Sequence, residues 1–384
     1  MLTPRTEAEL AEAVATAASA STPLEITGGG TRRAIGRPVQ AAETLSTVGL
    51  NGITLYEPGA LTIVAQAGSP LSQIEAALAA ENQRLPFEPM DHRALLGTDG
   101  EPTIGGVVAG NISGPRRIQA GACRDSLIGM RFVDGRGDVI KNGGRVMKNV
   151  TGYDLVKLMA GSWGTLGVLS EVSFKVLPAT ETVAVLLFDG LDDGQAVSCM
   201  SAALGSPFEV TGAAHLPVGM DGAPVTMIRL EGFAKSVAYR TEALTKALRG
   251  YGTPRVETDP EKTAAGWKYV RDVEAFAGRA GDVWKISVKP SDGPVAGDAL
   301  RGTGAEALFY DWGGGLIWAL LPEGTDIRPA LAGLNGHATL IRASAATRAA
   351  IAPFAPEAAP LAALSAGLRA QFDPGGILNP GRMG

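Results

Sequence analysis

Two glycine-rich stretches carry the residue types best suited to chemistry in this chain. In EITGGGTRRAIG (residues 25–36), Gly28, Gly29 and Gly30 follow a short apolar run and precede Thr31. Consecutive glycines can enter φ > 0 and turn successive backbone N–H groups toward one anion, close enough for a pyrophosphate. Thr31 adds a hydroxyl donor. The familiar nucleotide templates do not fit. Counted from Gly28 and Gly30, the third glycine of G-x-G-x-x-G falls on Arg33, and no Lys-Ser/Thr follows for a Walker loop. A flexible turn is the competing reading. The second stretch, TIGGVVAGNISG (103–114), again lets backbone pass close to something flat and bulky, with Asn111 and Ser113 to orient it. Two such stretches in one half of the chain point to one extended cofactor.

Other reactive side chains are sparse. The histidines, His92, His215 and His337, are widely scattered, and no cluster has metal-ligand spacing. Cys123 and Cys199 are too few for a disulfide framework and lack the CxxC spacing of a zinc or iron–sulfur site, which points to a reducing compartment. Cys123 reads as a small buried residue rather than a redox thiol. Arg116-Arg117 reads equally well as an exposed loop pair or as a steering site for an anion.

These groups need a scaffold, and 384 residues are enough for two domains. With 45% hydrophobic and 19% charged residues, the composition is that of a globular protein. A net charge of -5 and the absence of a long basic run argue against nucleic acid as a partner. Glu7, Glu9 and Glu12 interrupt what would have to be the apolar core of a secretory signal, and no apolar run approaches the ~20 residues of a membrane span. The expected setting is cytoplasmic.

Local patterns give the elements. Thr6 and Glu9 have capping-box spacing before a first helix, and PLEIT reads as the strand that delivers the glycines. LTIVAQAG (61–68) is a strand. Ser69 is placed to cap a helix with Pro70 at its first position and Leu71, Ile74 and Leu78 on its inner face. Asp134-Gly135 marks a hairpin, GYDLVKLMAG a short helix stopped at Gly161, and GTLGVLSEVSFKVLP a long strand. From about 181, strands such as TVAVLLFD, VTMIRLEG, VWKISVKP and GLIWALLP alternate with helices, an antiparallel sheet backed by helices. The tryptophans of this half read as core. A last helix ends near Phe372.

Six blocks in order, ITGGGT, FEPMD, TIGGVVAGNISG, DSLIGMRFVDGRGDVIKNGG, KNVTGYDLVKLMAGSWGTLGVLSEV and the terminal FDPGGILNPGRM, resemble the FAD-linked oxidases of the vanillyl-alcohol-oxidase type. Within that family the chain most resembles the FAD-binding E subunits of bacterial three-subunit glycolate oxidases, to which YDWGGGLIW and GHATLIRA also point. The resemblance implies an α+β fold with a two-part FAD-binding domain, residues 1–178 completed by 345–384, and an antiparallel-sheet cap, 179–344. By carry-over, Gly28, Gly29, Gly30 and Thr31 would hold the pyrophosphate. Pro89, Asp91, Thr103, Gly105, Gly106, Ala109, Asn111, Ser113 and Gly114 would line the ribityl chain and flavin, and Val168 would meet the adenine end through its backbone. A Cβ at Gly29 is expected to strain the backbone and crowd the phosphate.

The chain also departs from its relatives. It lacks the histidine-rich motif that self-sufficient hydroxy-acid oxidases of the family carry, so no catalytic base or metal site is assigned. His337, before a strand that the family places near the flavin, and Arg342 on that strand are the catalytic candidates. No flavinylation histidine is evident, so FAD is expected noncovalently. Trp163 stands where many relatives have Glu. The resemblance implies a subunit of a glycolate-oxidising complex whose partners are a sister FAD-linked oxidase subunit and an iron–sulfur subunit, any membrane association coming through them. The alternatives are a self-sufficient oxidase of another hydroxy acid or sugar alcohol, and a flavin subunit with a relay or structural role.

Overall fold

A computed structural model describes residues 1–144 and 152–383. The start of the fifth block, 148–151, therefore lies outside the described residues. The chain divides into two compact units: Met1–Ser113, Gly121–Ala179 and Pro356–Gly384 form one, Gly114–Ala120 and Thr180–Ala355 the other. Residues 345–355, assigned from sequence to the FAD-binding part, belong to the second unit, as does the short excursion 114–120.

In the first unit, Thr6 Oγ1 accepts from the Glu9 amide and caps the helix Glu7–Ser19, which buries Leu10, Val14 and Ala17. Strand Leu24–Thr27 pairs in parallel with Glu43–Ser46. The main sheet of this unit is antiparallel, in the order Ile53–Glu57, Thr62–Gln66, Val168–Lys175, Leu127–Val133, Val139–Gly143. Its central strand, Val168–Lys175, has neighbours on both edges, and six of its eight residues are buried. Ser69 does not cap the next helix. Its hydroxyl bonds both the N–H and the C=O of Gly52, and the helix Leu71–Ala80 begins one residue later than expected, behind Pro70. Leu71, Ile74 and Leu78 are buried as the spacing predicts.

The hairpin between Leu127–Val133 and Val139–Gly143 turns on the Asp134 carboxylate, which accepts from the amides of Arg136 and Asp138. Gly137 takes the left-handed conformation there (φ +91°), not Gly135. The C-terminal segment returns to this unit. Leu24 donates to the Ile377 carbonyl (2.7 Å) and accepts from the Asn379 amide (2.9 Å), and Ile377 and Leu378 share a core cluster with Leu10, Leu24 and Val168.

The second unit is an eight-stranded antiparallel sheet in the order Arg255–Glu257, Thr182–Asp189, Val225–Gly232, Gly212–Leu216, Ala307–Asp311, Leu316–Leu321, Asp282–Val288, Gly336–Arg342. Side chains alternate between its faces. Trp284, Ile286, Ile317, Ala319 and Leu340 join Val197, Met200, Val237, Leu244 and Leu300 from the helices in one core. A polar network ties this helical side: Tyr310 donates to Asp193 (2.5 Å), His215 approaches the same carboxylate at 3.4 Å, and Arg301 pairs with it. Although burial raises the Asp193 pKa, these bonds outweigh it and hold the group at about 2.

The other face carries Arg229, Glu231, Lys285, Trp318 and His337. Trp267 covers one end of it, its ring 4.3 Å from the Arg229 guanidinium. The excursion 114–120 is bound there. Arg116 forms a bidentate pair with buried Glu231 (2.9 and 2.6 Å), and Trp312 Nε1 donates to the Gly114 carbonyl (3.1 Å). Trp267, Trp284, Trp312 and Trp318 are all buried, in line with the core reading.

Candidate functional site

The strand Leu24–Thr27 ends at Gly28, where the chain enters a cleft in the first unit with a free space of about 750 Å³ including its mouth. The glycines have different jobs. A Cβ on Gly28 would overlap the Thr103 hydroxyl, one on Gly29 the Glu101 carbonyl, and one on Gly100 the Gly29 carbonyl, so these positions let two loops meet backbone to backbone. Gly29 has no positive φ. The left-handed residue is Gly30 (φ +79°), whose Cβ would meet nothing of the protein within 4 Å. The strain expected at Gly29 thus falls at Gly30, and crowding at Gly29 would come from Glu101.

The consequence of this path is chemical. Among the described residues, the amides of Gly28, Gly29, Gly30, Thr31 and Arg32 donate to no acceptor. Unpaired amides in a partly enclosed site are costly, and a run of them turned around one loop forms an anion-binding nest. The residues therefore fit the diphosphate of a dinucleotide cofactor.

The helix Ile104–Ala109 forms another wall. Thr103 Oγ1 caps it by accepting from the Gly106 amide (3.3 Å), and Gly105 lies so close to Ala67 that a Cβ would collide with it. Thr103, Gly105, Gly106 and Ala109 line the cleft together with the four residues of the glycine loop. Others do not. Asn111 Oδ1 accepts from the Arg124 amide, and the Ser113 hydroxyl bonds Cys123 N and Asn111 O, so both side chains hold a turn. Gly114 belongs to the second unit. Val168 is fully buried in the core cluster, while its neighbours Gly167 and Leu169 line the cleft. Pro89 and Asp91 lie outside the lining, and Asp91 accepts a multiple hydrogen bond from Arg93.

Sequence reasoning missed Arg32, Gly164, Asn379 and Arg382, which also line the cleft. The signals were a second charge directly behind the glycines and the LNPGR tail. Asn379 Oδ1 accepts from the Ile26 amide and its Nδ2 donates to the Trp163 carbonyl, both at 2.8 Å. Trp163 adopts φ +53° there, with its amide bonded to Ala109. Buried His92 is a structural group, its Nδ1 accepting from Arg32 Nε. Cys123 is fully buried and its thiol pKa is pushed up by desolvation, which makes it a poor nucleophile.

The catalytic candidates lie in the second unit. Arg342 donates to the backbone carbonyls of Phe276, Arg279 and Gly281, so its guanidinium secures a turn. His337 is in register with Ser287, on the same sheet face as Lys285 and Trp318. Burial, with Arg117 adding repulsion, pushes the Lys285 amine down to about 8. Burial and then Lys285 and Arg117 lower the His337 pKa, so its imidazole is neutral near pH 7. The Arg117 guanidinium lies 4.6 Å from the Trp312 ring centroid and the Lys285 ammonium 5.2 Å from it. Two cations thus lie over the buried Trp312 ring, with the exposed His337 on the same sheet face, an arrangement suited to a small carboxylate. Among the described residues no group of three or more His, Cys, Asp or Glu could hold a metal ion, and no helix is long and apolar enough to cross a membrane.

Comparison with known proteins gives the same picture. Residues 1–143 match the family model described as FAD binding domain. The chain is 37% identical over 376 residues to glycolate oxidase subunit GlcE of Escherichia coli strain K12, covering 97% of this chain and 96% of that protein. It is 29% identical to glycolate oxidase subunit GlcD of Bacillus subtilis strain 168 over 271 residues, 69% of this chain and 54% of that protein. A solved structure of alkyldihydroxyacetonephosphate synthase superposes with a TM-score of 0.71 at 16% identity, covering 98% of this chain and 76% of that one, a likeness of fold.

Proposed function

The chain belongs to the FAD-linked oxidoreductase family that includes glycolate oxidase subunit GlcE, and from that membership we propose that it is the FAD-binding E-type subunit of a complex that oxidises glycolate to glyoxylate. The observation that carries the cofactor assignment is the run of five amides, Gly28 to Arg32, that find no acceptor among the described residues in a loop lining one cleft. FAD held there noncovalently supplies a two-electron acceptor. The chain's part is to bind it. The glycine loop takes the diphosphate, and the helix Ile104–Ala109, held close to Ala67 through Gly105, walls the rest of the cofactor's cleft. With two buried cysteines and no cluster ligands among the described residues, electrons would leave through a separate iron–sulfur subunit, with a sister flavin subunit beside it.

A second reading has one specific observation in its favour. Lys285 and Arg117 offer positive charge to a carboxylate, and the neutral His337 beside them can accept a hydroxyl proton. On that reading this chain binds a hydroxy acid itself. Anaerobic addition of glycolate to the purified flavoprotein, alone and then with the two partner subunits, separates the two. No bleaching of the isolated chain, with activity of the complex lost when this subunit is omitted, supports the complex-dependent role. Rapid bleaching of the isolated flavin by glycolate refutes it and assigns substrate chemistry to this chain.

A further inference from the structure

Arg32 is a buried cation that hydrogen-bonds no carboxylate. It is 8% exposed, its Nε donates to His92 Nδ1 (3.2 Å) and its Nη2 to the Met90 carbonyl (3.1 Å), both neutral acceptors. The carboxylate acting on it, Asp91, is itself bound by Arg93 through Nε and Nη2. Nη1 donates to nothing among the described residues and lies beside Gly106 in the cleft wall. Desolvation pulls the Arg32 pKa down to about 10, still far enough above neutrality to keep the charge. A desolvated cation of this kind is costly until an anion joins it.

The same residue supplies the last of the five open amides, and its side chain and the glycine loop line one cleft. We propose that Arg32 is the counter-charge for the cofactor's diphosphate, its free Nη1 donating to a phosphate oxygen that the amides of Gly28 to Arg32 also hold. This rests on the assignment of FAD to this cleft. It adds a fixed charge to a site otherwise made of backbone dipoles, and it gives His92 and Met90 a role: they aim the guanidinium while leaving one nitrogen open. Lys at this position would keep the charge but lose the fork that lets Nε and Nη2 be anchored while Nη1 binds.

The test uses the full chain purified with its flavin. FAD affinity is followed by flavin fluorescence, with ADP and riboflavin as competitors, in the wild type, Arg32→Gln, Arg32→Lys and Gly30→Val. Arg32→Gln is expected to weaken FAD and ADP in parallel by roughly 10- to 100-fold, the range for a hydrogen bond to a charged group, and to leave riboflavin within about twofold. Arg32→Lys should recover part of the ADP affinity. Should the glutamine variant not fold, the lysine variant decides alone: ADP weakened more than riboflavin supports the pairing, equal weakening overturns it. Equal loss of riboflavin together with a shifted flavin midpoint potential also overturns it, by placing Arg32 at the ring. Normal FAD affinity in Arg32→Gln while Gly30→Val binds poorly refutes the Arg32 pairing alone. Normal affinity in both refutes the cleft assignment beneath it.

Discussion

Asn379 offers the sharpest link between the C-terminal segment and the cleft proposed for the cofactor. Its side chain makes two short hydrogen bonds, one from the Ile26 amide and one to the Trp163 carbonyl, and the residue is 1% exposed. Asn379→Ala removes both and takes a partner from a half-buried donor and a half-buried acceptor. At about 1–2 kcal/mol for each group left unsatisfied, the lower part of the usual range because Ile26 and Trp163 are half-buried, a loss of roughly 2–4 kcal/mol is expected. For a unit in the 150–250-residue class, that corresponds to a fall in Tm on the order of 5–15 °C. Ile26 lies two residues before Gly28, so the same change should loosen the strand that delivers the glycine loop and raise the Kd for FAD. The assay is thermal unfolding followed by circular dichroism, paired with flavin fluorescence titration. A Tm within 1 °C of wild type together with an unchanged Kd would show that the returning segment neither braces the strand nor matters to the cleft. Deleting 373–384 should be far more severe, because fully buried Ile377 and Leu378 are lost as well, each contributing about 1.5–3 kcal/mol.

Three further outcomes are expected. Acid precipitation should leave the yellow cofactor in the supernatant, and colour retained in the pellet would contradict noncovalent binding. Binding of a small carboxylate such as oxalate to the second unit should weaken as pH rises through about 8, because Lys285 loses its proton there, and Lys285→Met should flatten that profile; an unchanged profile in the variant removes Lys285 from the site. Arg116→Met should cost on the order of 1–3 kcal/mol, because buried Glu231 loses its two short hydrogen bonds and keeps the looser 3.5 Å ion pair with Arg229, seen as a lower unfolding midpoint. Full stability of the variant would show that the pair does not anchor the 114–120 excursion.

Much of the fold is legible where local pattern and burial agree. The alternation in VWKISVKP puts Trp284 and Ile286 into the helical core and Lys285 onto the other face, a period-2 signal readable without coordinates. The Thr6 cap follows from hydrogen bonding within one turn. Ser69 shows the limit of such reasoning: its hydroxyl had two uses, and Gly52, distant in sequence, took it. The turn glycine moved for a comparable reason. Gly135 looks like the residue that needs φ > 0, yet its missing side chain makes room for Asp373, while Gly137 adopts the left-handed conformation.

The cleft divides along the same line. Glycines before a phosphate are visible as composition, but what each one does depends on which backbone approaches it: Glu101 at Gly29, open cleft at Gly30. Asn111 and Ser113 are plausible ligands by chemistry alone, and only the positions of Arg124 and Cys123 reveal that Asn111 Oδ1 and the Ser113 hydroxyl are already engaged. Arg32 is the converse. In sequence it is one of two adjacent arginines with nothing to distinguish them. In the fold Arg33 points outward to pair with Glu25, and Arg32 turns inward to neutral partners with one nitrogen left over. Which of the two turns inward is decided by Glu25 on the strand and His92 in the opposing loop, partners eight and sixty residues away that no reading of the local sequence brings together.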